Sequence, residues 1–144
     1  ISILIGSLIA FITYNWNPAK IFMGDVGSTF LGAVYFIILI SSLDLSLFII
    51  NFLIATPLLF DGLSCLFLRV LKKQNIFLPH KSHLYQRMYQ AGIKQSTISL
   101  IYIGATSFLA LVSITESITL MLCSSLLIIF IGLLINKKYA VKFN

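Results

Sequence analysis

Asp25 stands between Gly24 and Gly27, with Ser28 next and a long apolar run beyond. Glycines permit tight backbone geometry and close approach of a ligand. Ser28 has the residue type and place of an N-cap for the helix that follows. A helix N-terminus turns N–H groups and the positive end of its dipole toward whatever lies there, which favours phosphate. A carboxylate at that point suits Mg²⁺, which takes one or two protein carboxylates and fills its shell with water and substrate phosphates. The stretch Asn17–Ser28 therefore reads as a metal–phosphate loop. An Asp and two glycines are also common loop punctuation, and the spacing alone leaves that plainer reading open.

The two histidines, His80 and His83, lie in a second polar stretch, Pro79–Gly92. On a helix, His80, His83 and Arg87 share one face. Leu84, Met88 and Ala91 form an apolar stripe beside them, and Gly92 suits a helix stop. This predicts a short amphipathic helix with a cationic stripe. Such a stripe serves equally to bind an anionic substrate or to anchor the helix among lipid headgroups. Histidines three apart also allow a transition-metal site, but the sequence offers no third ligand beside them. Cys65 and Cys123 have no metal-type spacing and read as small buried side chains.

Asp61 is the main polar residue inside an apolar run, four residues after Pro57 and eight before Arg69. An ionisable residue within a span is by default a functional candidate. A carboxylate that caps or pairs at the inner rim of a bundle is the alternative.

The elements that must position these residues are hydrophobic. The 144 residues have a mean hydropathy of +1.03 and only 10% are charged, against about 25% in a soluble domain. A spanning helix needs roughly 20 mostly apolar residues. The runs 26–43, 45–68, 96–114 and 117–135 meet that length, and a fifth run, 1–14, is shorter. With no basic n-region and no small-residue cleavage site, the first run reads as the tail of a longer helix rather than as a signal peptide. The expected class is an all-α integral membrane protein, a bundle of about five transmembrane helices within one domain over 1–144. It has short outer loops and two functional cytoplasmic loops.

Net charge is +6, but its distribution argues against nucleic acid. Threading five helices puts all ten Lys and Arg residues in alternate connections: Lys20, the segment 69–95 and the C-terminal tail. The opposite connections hold Asp44 and Glu116. This is the positive-inside pattern, and it places the basic loops and the C-terminus in the cytoplasm. Polar chemistry confined to loops on one face argues against a transporter, whose sites lie near the midplane.

The run Asn17-Pro-Ala-Lys-Ile-Phe-Met-Gly-Asp-Val-Gly-Ser28 resembles the signature of the polyprenyl-phosphate N-acetylhexosamine-1-phosphate transferases. That superfamily includes the bacterial undecaprenyl-phosphate GlcNAc-1-phosphate transferases of glycosyltransferase family 4 and the phospho-MurNAc-pentapeptide translocase. The Pro57-x-x-x-Asp61 helix, its basic exit and Pro79-His-x-x-His83 resemble the same family in the same order. The resemblance implies transfer of a sugar-1-phosphate from a UDP-N-acetylhexosamine to undecaprenyl phosphate, with release of UMP, as the first step of a cell-envelope polysaccharide.

It implies Mg²⁺, with Mn²⁺ as a substitute, on Asp25 as metal ligand and catalytic residue. It also makes His80 and His83 catalytic contacts to the sugar-nucleotide diphosphate. Gly24, Gly27 and Ser28 match the surroundings of that aspartate. Asn17 and Asp61 join the substrate-binding set through the same motifs, and Arg87 through its place on the histidine stripe. The implied location is the bacterial inner membrane, multi-pass, with the active face cytoplasmic; a homodimer stays open. The family's Asp-Asp motif lies upstream and has no counterpart here, so the chain resembles the C-terminal half of such an enzyme and alone is expected to be inactive. The translocase branch carries three consecutive histidines, which this loop lacks, so the UDP-HexNAc branch is favoured. A translocase-like enzyme and a non-catalytic membrane remnant or transporter segment remain as alternatives.

Overall fold

A computed structural model describes residues 2–42 and 44–143. Ile1, Leu43 and Asn144, which bound the expected helices 1–14 and 26–43 and the chain itself, lie outside the described residues. Seven helices and no strand occur among the described residues: α1 (Ser2–Asn15), α2 (Gly24–Ile40), α3 (Leu45–Ile54), α4 (Thr56–Leu71), α5 (Leu84–Gln90), α6 (Gln95–Ser113) and α7 (Ile118–Tyr139). They form two compact units, 1–41 and 42–144.

The first unit holds α1, α2 and the loop between them. The loop folds back on the end of α1: the N–H groups of Lys20 and Ile21 both donate to the Tyr14 carbonyl, at 2.8 and 3.4 Å. The Asn15 amide donates to the Ile21 carbonyl at 2.8 Å. The first two bonds satisfy a carbonyl that the end of α1 leaves without an intrahelical partner, and the third ties the loop to that end. The Asn17–Pro18 peptide bond is cis.

The second unit is built around α3, α6 and α7. Ile50, Leu109 and Met121 form its buried centre, with Leu53, Ile54, Val112, Ile118 and Ile128 packed against them. Helices α4 and α5 pack on α6 and α7. The expected α6–α7 hairpin is present, turning through Glu116 at φ +51°.

Two differences from the sequence expectation have physical causes. The run 45–68 is one expected helix but two observed ones, bent by 71° at Ala55. Pro57 occupies the first turn of α4, where its missing N–H is tolerated, and it cannot continue the ladder of α3. The second concerns crossings. Among the described residues α6 and α7 are long and apolar enough to span a membrane, and the bent pair α3–α4 adds a third candidate. Helices α1 and α2, at 14 and 17 residues, are apolar but shorter than the five-span expectation requires. Seventeen residues reach about 25 Å, against roughly 30 Å of hydrocarbon. Large apolar side chains are exposed along α1, α2, α6 and α7, as a lipid-facing surface requires.

Leu109 and Met121 are fully buried, so Leu109→Ala or Met121→Ala should each cost about 2–5 kcal/mol. Leu126→Ala, on the exposed face of α7, should cost little. Thermal unfolding in detergent reads the contrast, and equal loss at all three positions would contradict this core.

A carboxylate-capped cleft in the second unit

Helix α4 buries one face. Pro57, Asp61, Cys65 and Arg69 recur every fourth residue along it and all are buried. Asp61 is 4% exposed, which demands partners, and it has them. Its Oδ1 accepts from the Leu84 N–H at 2.7 Å, and its Oδ2 accepts from the Tyr102 hydroxyl at 2.8 Å. His83 Nδ1 stands 3.6 Å from Oδ1. The carboxylate therefore caps the first turn of α5 from a different helix and fixes α6 at the same time. Of the two readings of Asp61, the cap-and-pair role is met in full, and the same residue also lines a cleft.

That cleft, of about 810 Å³, runs between α4, α5 and α6. Asp61, Lys81, His83 and Gln86 give it a polar end, and Leu58, Tyr89 and Ile98 give it apolar walls. The Tyr85 hydroxyl is held above the usual phenol range, chiefly by burial and secondly by the Asp61 charge.

The expected helical stripe His80–His83–Arg87 does not form. Helix α5 begins only at Leu84, and His83 is its N-cap in extended conformation. The His83 N–H donates to Gln86 Oε1 at 3.2 Å, a back-bond of the capping-box kind. His80 lies in the preceding loop, its ring stacked on that of His83 at 5.2 Å between centroids. Gly92 at φ +89° ends α5 as expected.

Arg87 is not presented to an anion. It is 7% exposed and donates to the Ser82 carbonyl at 3.1 Å, the Val141 carbonyl at 2.9 Å and Asn136 Oδ1 at 2.6 Å. Its guanidinium also sits 5.4 Å from the Phe143 ring. Burial pulls its pKa down, against the pull of Asp61. The residue clamps the loop before α5 to the C-terminal segment. Arg69 does similar work, donating to the carbonyls of Leu78 and Asn75.

The Asp25 loop belongs to the first unit. Helix α2 starts at Gly24 (φ +66°) rather than at Ser28, with Met23 as N-cap. Ser28 is thus inside the helix and not its cap; its hydroxyl donates to the Asp25 carbonyl at 3.1 Å. Asp25 lies exposed in the first helical turn, where a carboxylate complements the dipole. Open space surrounds Gly24. A Cβ on Gly27 would stand 2.5 Å from Met23 Cγ, so that glycine lets the Met23 side chain lie against the helix. Asn17 is exposed beside the cis peptide. One accessible carboxylate at an open helix start is a donor set that fits Mg²⁺.

Residues 1–43 match the glycosyl transferase family 4 profile. Over that stretch the chain is similar to glycosyl transferase family 4 proteins. It is 38% identical over 136 residues, 90% of its length, to a Bacillus subtilis protein named "probable undecaprenyl-phosphate N-acetylglucosaminyl 1-phosphate transferase". It spans 37% of the length of that relative. Proteins named phospho-N-acetylmuramoyl-pentapeptide-transferase match shorter stretches. One from Streptococcus equi subsp. zooepidemicus is 62% identical over 24% of this chain and 10% of its own. One from Nautilia profundicola is 50% identical over 34% and 14%. No solved structure matches.

Removing the cap should be costly. Asp61→Ala strands the Leu84 N–H and the Tyr102 hydroxyl, and is expected to lose about 2–3 kcal/mol, with Tyr102→Phe losing about 1 kcal/mol. Unfolding midpoints in detergent give both values, and an Asp61→Ala protein as stable as the parent would refute the cap.

Proposed function

We propose that the protein to which this chain belongs transfers an N-acetylhexosamine-1-phosphate from a UDP-sugar to undecaprenyl phosphate and releases UMP. The observation that carries this reading is the 38% identity over 90% of the chain to the Bacillus subtilis protein. The relatives named phospho-N-acetylmuramoyl-pentapeptide-transferase match 24–35% of the chain, so that branch is the second choice.

The residues suit the reaction. Both substrates are anionic, so the site must offset their repulsion before the acceptor phosphate can attack the sugar-linked phosphorus. Asp25 would hold Mg²⁺, which when bound neutralises charge on the diphosphate. Asn17, Gly24, Gly27 and Ser28 shape the loop around it. Lys81 and His83 lie at the polar end of the cleft and can donate to phosphate oxygens, with His80 stacked beside them. Asp61 orients His83. The apolar cleft wall suits the first part of a polyprenyl chain. Arg87 acts as a positioning residue, holding Ser82 and thus the histidine loop.

The alternating charge pattern supports a cytoplasmic location for Lys20, 69–95 and the C-terminus in a bacterial inner membrane. In a background without native cysteines, Asp44→Cys should react with an impermeant thiol reagent from outside and Lys73→Cys only after lysis; the reverse would overturn this orientation.

The activity test is UMP release by membranes carrying the protein as encoded, given UDP-GlcNAc, undecaprenyl phosphate and Mg²⁺. Release should require the lipid and the metal. Asp25→Asn should lower it about 100–1,000-fold, and His83→Ala should lower it as well. Lipid-independent release, or full turnover by Asp25→Asn, would sink the assignment.

A further inference from the structure

The sequence leaves His80 and His83 without a third ligand, and the fold supplies one. Cys65, fifteen residues before His80, is on the buried face of α4, directly under the histidine loop. Its Sγ is 3.9 Å from His80 Nδ1. The candidate ligand atoms of Cys65, His80 and His83 all lie within 4.8 Å of one another. Around a tetrahedral zinc ion, with bonds near 2.0–2.3 Å, ligand atoms are roughly 3.5 Å apart. Small rotamer changes close that difference.

The surroundings are those of a metal site. Metal-bound histidines usually direct the second ring nitrogen to a carboxylate or carbonyl, which fixes the tautomer. His83 Nδ1 stands 3.6 Å from Asp61 Oδ1, so this carboxylate is close enough to serve as the ring's outer partner. Asp61 is itself anchored by Leu84 and Tyr102, so it is a rigid outer partner. A Cys65 thiolate and the Asp61 carboxylate together carry two negative charges, matching a divalent cation. Thiolate and imidazole donors select zinc and similar borderline ions over Mg²⁺, which prefers oxygen.

We propose that Cys65, His80 and His83 form a site for a divalent transition-metal ion, zinc above all, with Asp61 as its outer carboxylate. Three protein ligands leave the fourth position for water or another donor. A His83 ring that holds the ion and faces Asp61 has no N–H left for phosphate, so with metal bound the phosphate contacts of the transferase reading fall to Lys81; metal binding alone tests the site. The ion would pin the histidine loop to α4, adding to the Asp61 contacts and the Arg69 bonds to Leu78 and Asn75.

The test uses the detergent-purified protein, stripped with chelator and titrated with Co²⁺. The expected result is one tightly bound ion per chain, with a thiolate-to-cobalt charge-transfer band and tetrahedral visible bands, displaced by Zn²⁺. Cys65→Ser should abolish the charge-transfer band. His80→Ala, a loop substitution, should weaken Co²⁺ at least about tenfold while the protein stays folded. Cys123→Ser and Asp25→Asn should leave the spectrum unchanged. Absence of the band in the parent protein, its persistence in Cys65→Ser, or its loss in Cys123→Ser or Asp25→Asn would overturn the site. None of these readouts needs turnover, so an inactive transferase and a missing metal site give different results.

Discussion

The Asp61 carboxylate ties three helices together at one point. It is anchored on α4, accepts the first N–H of α5 and accepts the Tyr102 hydroxyl of α6. A charge this buried is tolerated only when hydrogen bonds replace its hydration. The helix N-terminus adds favourable dipole to the bond. Helix α5 has only seven residues, too few to persist without tertiary support. Its place, and with it the place of His83 and the cleft wall, therefore follows from this carboxylate.

Apolar runs and polar loops gave the sequence reading its strength. The helices α1, α2, α6 and α7 lie within a few residues of the expected runs, because long apolar stretches admit few other structures. The Gly92 stop and the special role of Asp61 were legible for the same reason: each residue type is rare in its setting. The break at Ala55 was not anticipated, although Pro57 signals it. An apolar run bounded only by composition conceals a proline that falls in its middle. The length of α5 was overestimated because periodicity alone ignores where a cap competes. His83 adopts the extended cap conformation, so His80 falls off the helix.

Arg87 shows the limit of spacing arguments more sharply. Its i+4 relation to His83 was read as an anion-binding stripe, yet carbonyl groups from Ser82 and Val141 and the amide of Asn136 take its donors. Those partners are 5 to 54 residues away, and no local pattern reveals them. Cys65 was invisible for the same reason. Its relation to the histidines depends on a loop folding back over α4, held by the Arg69 bonds to Leu78 and Asn75. By contrast, the Asp25 loop was readable as a string, since its residues are contiguous.

The bend between α3 and α4 closes its own hydrogen bonds. The Phe52 carbonyl accepts from the Ala55 N–H, the Leu53 carbonyl from the Thr56 hydroxyl, and the Ala55 carbonyl from Leu58 and Leu59. In hydrocarbon an unsatisfied peptide group costs several kcal/mol, so most chain reversals are confined to water or to a protein interior. Here those bonds are joined by burial of Thr56 and Pro57 at the corner itself. A corner of this kind lets a helix pair change direction at depth in a bilayer, and it frees the buried Asp61–Cys65–Arg69 face of α4 from having to run along the membrane normal.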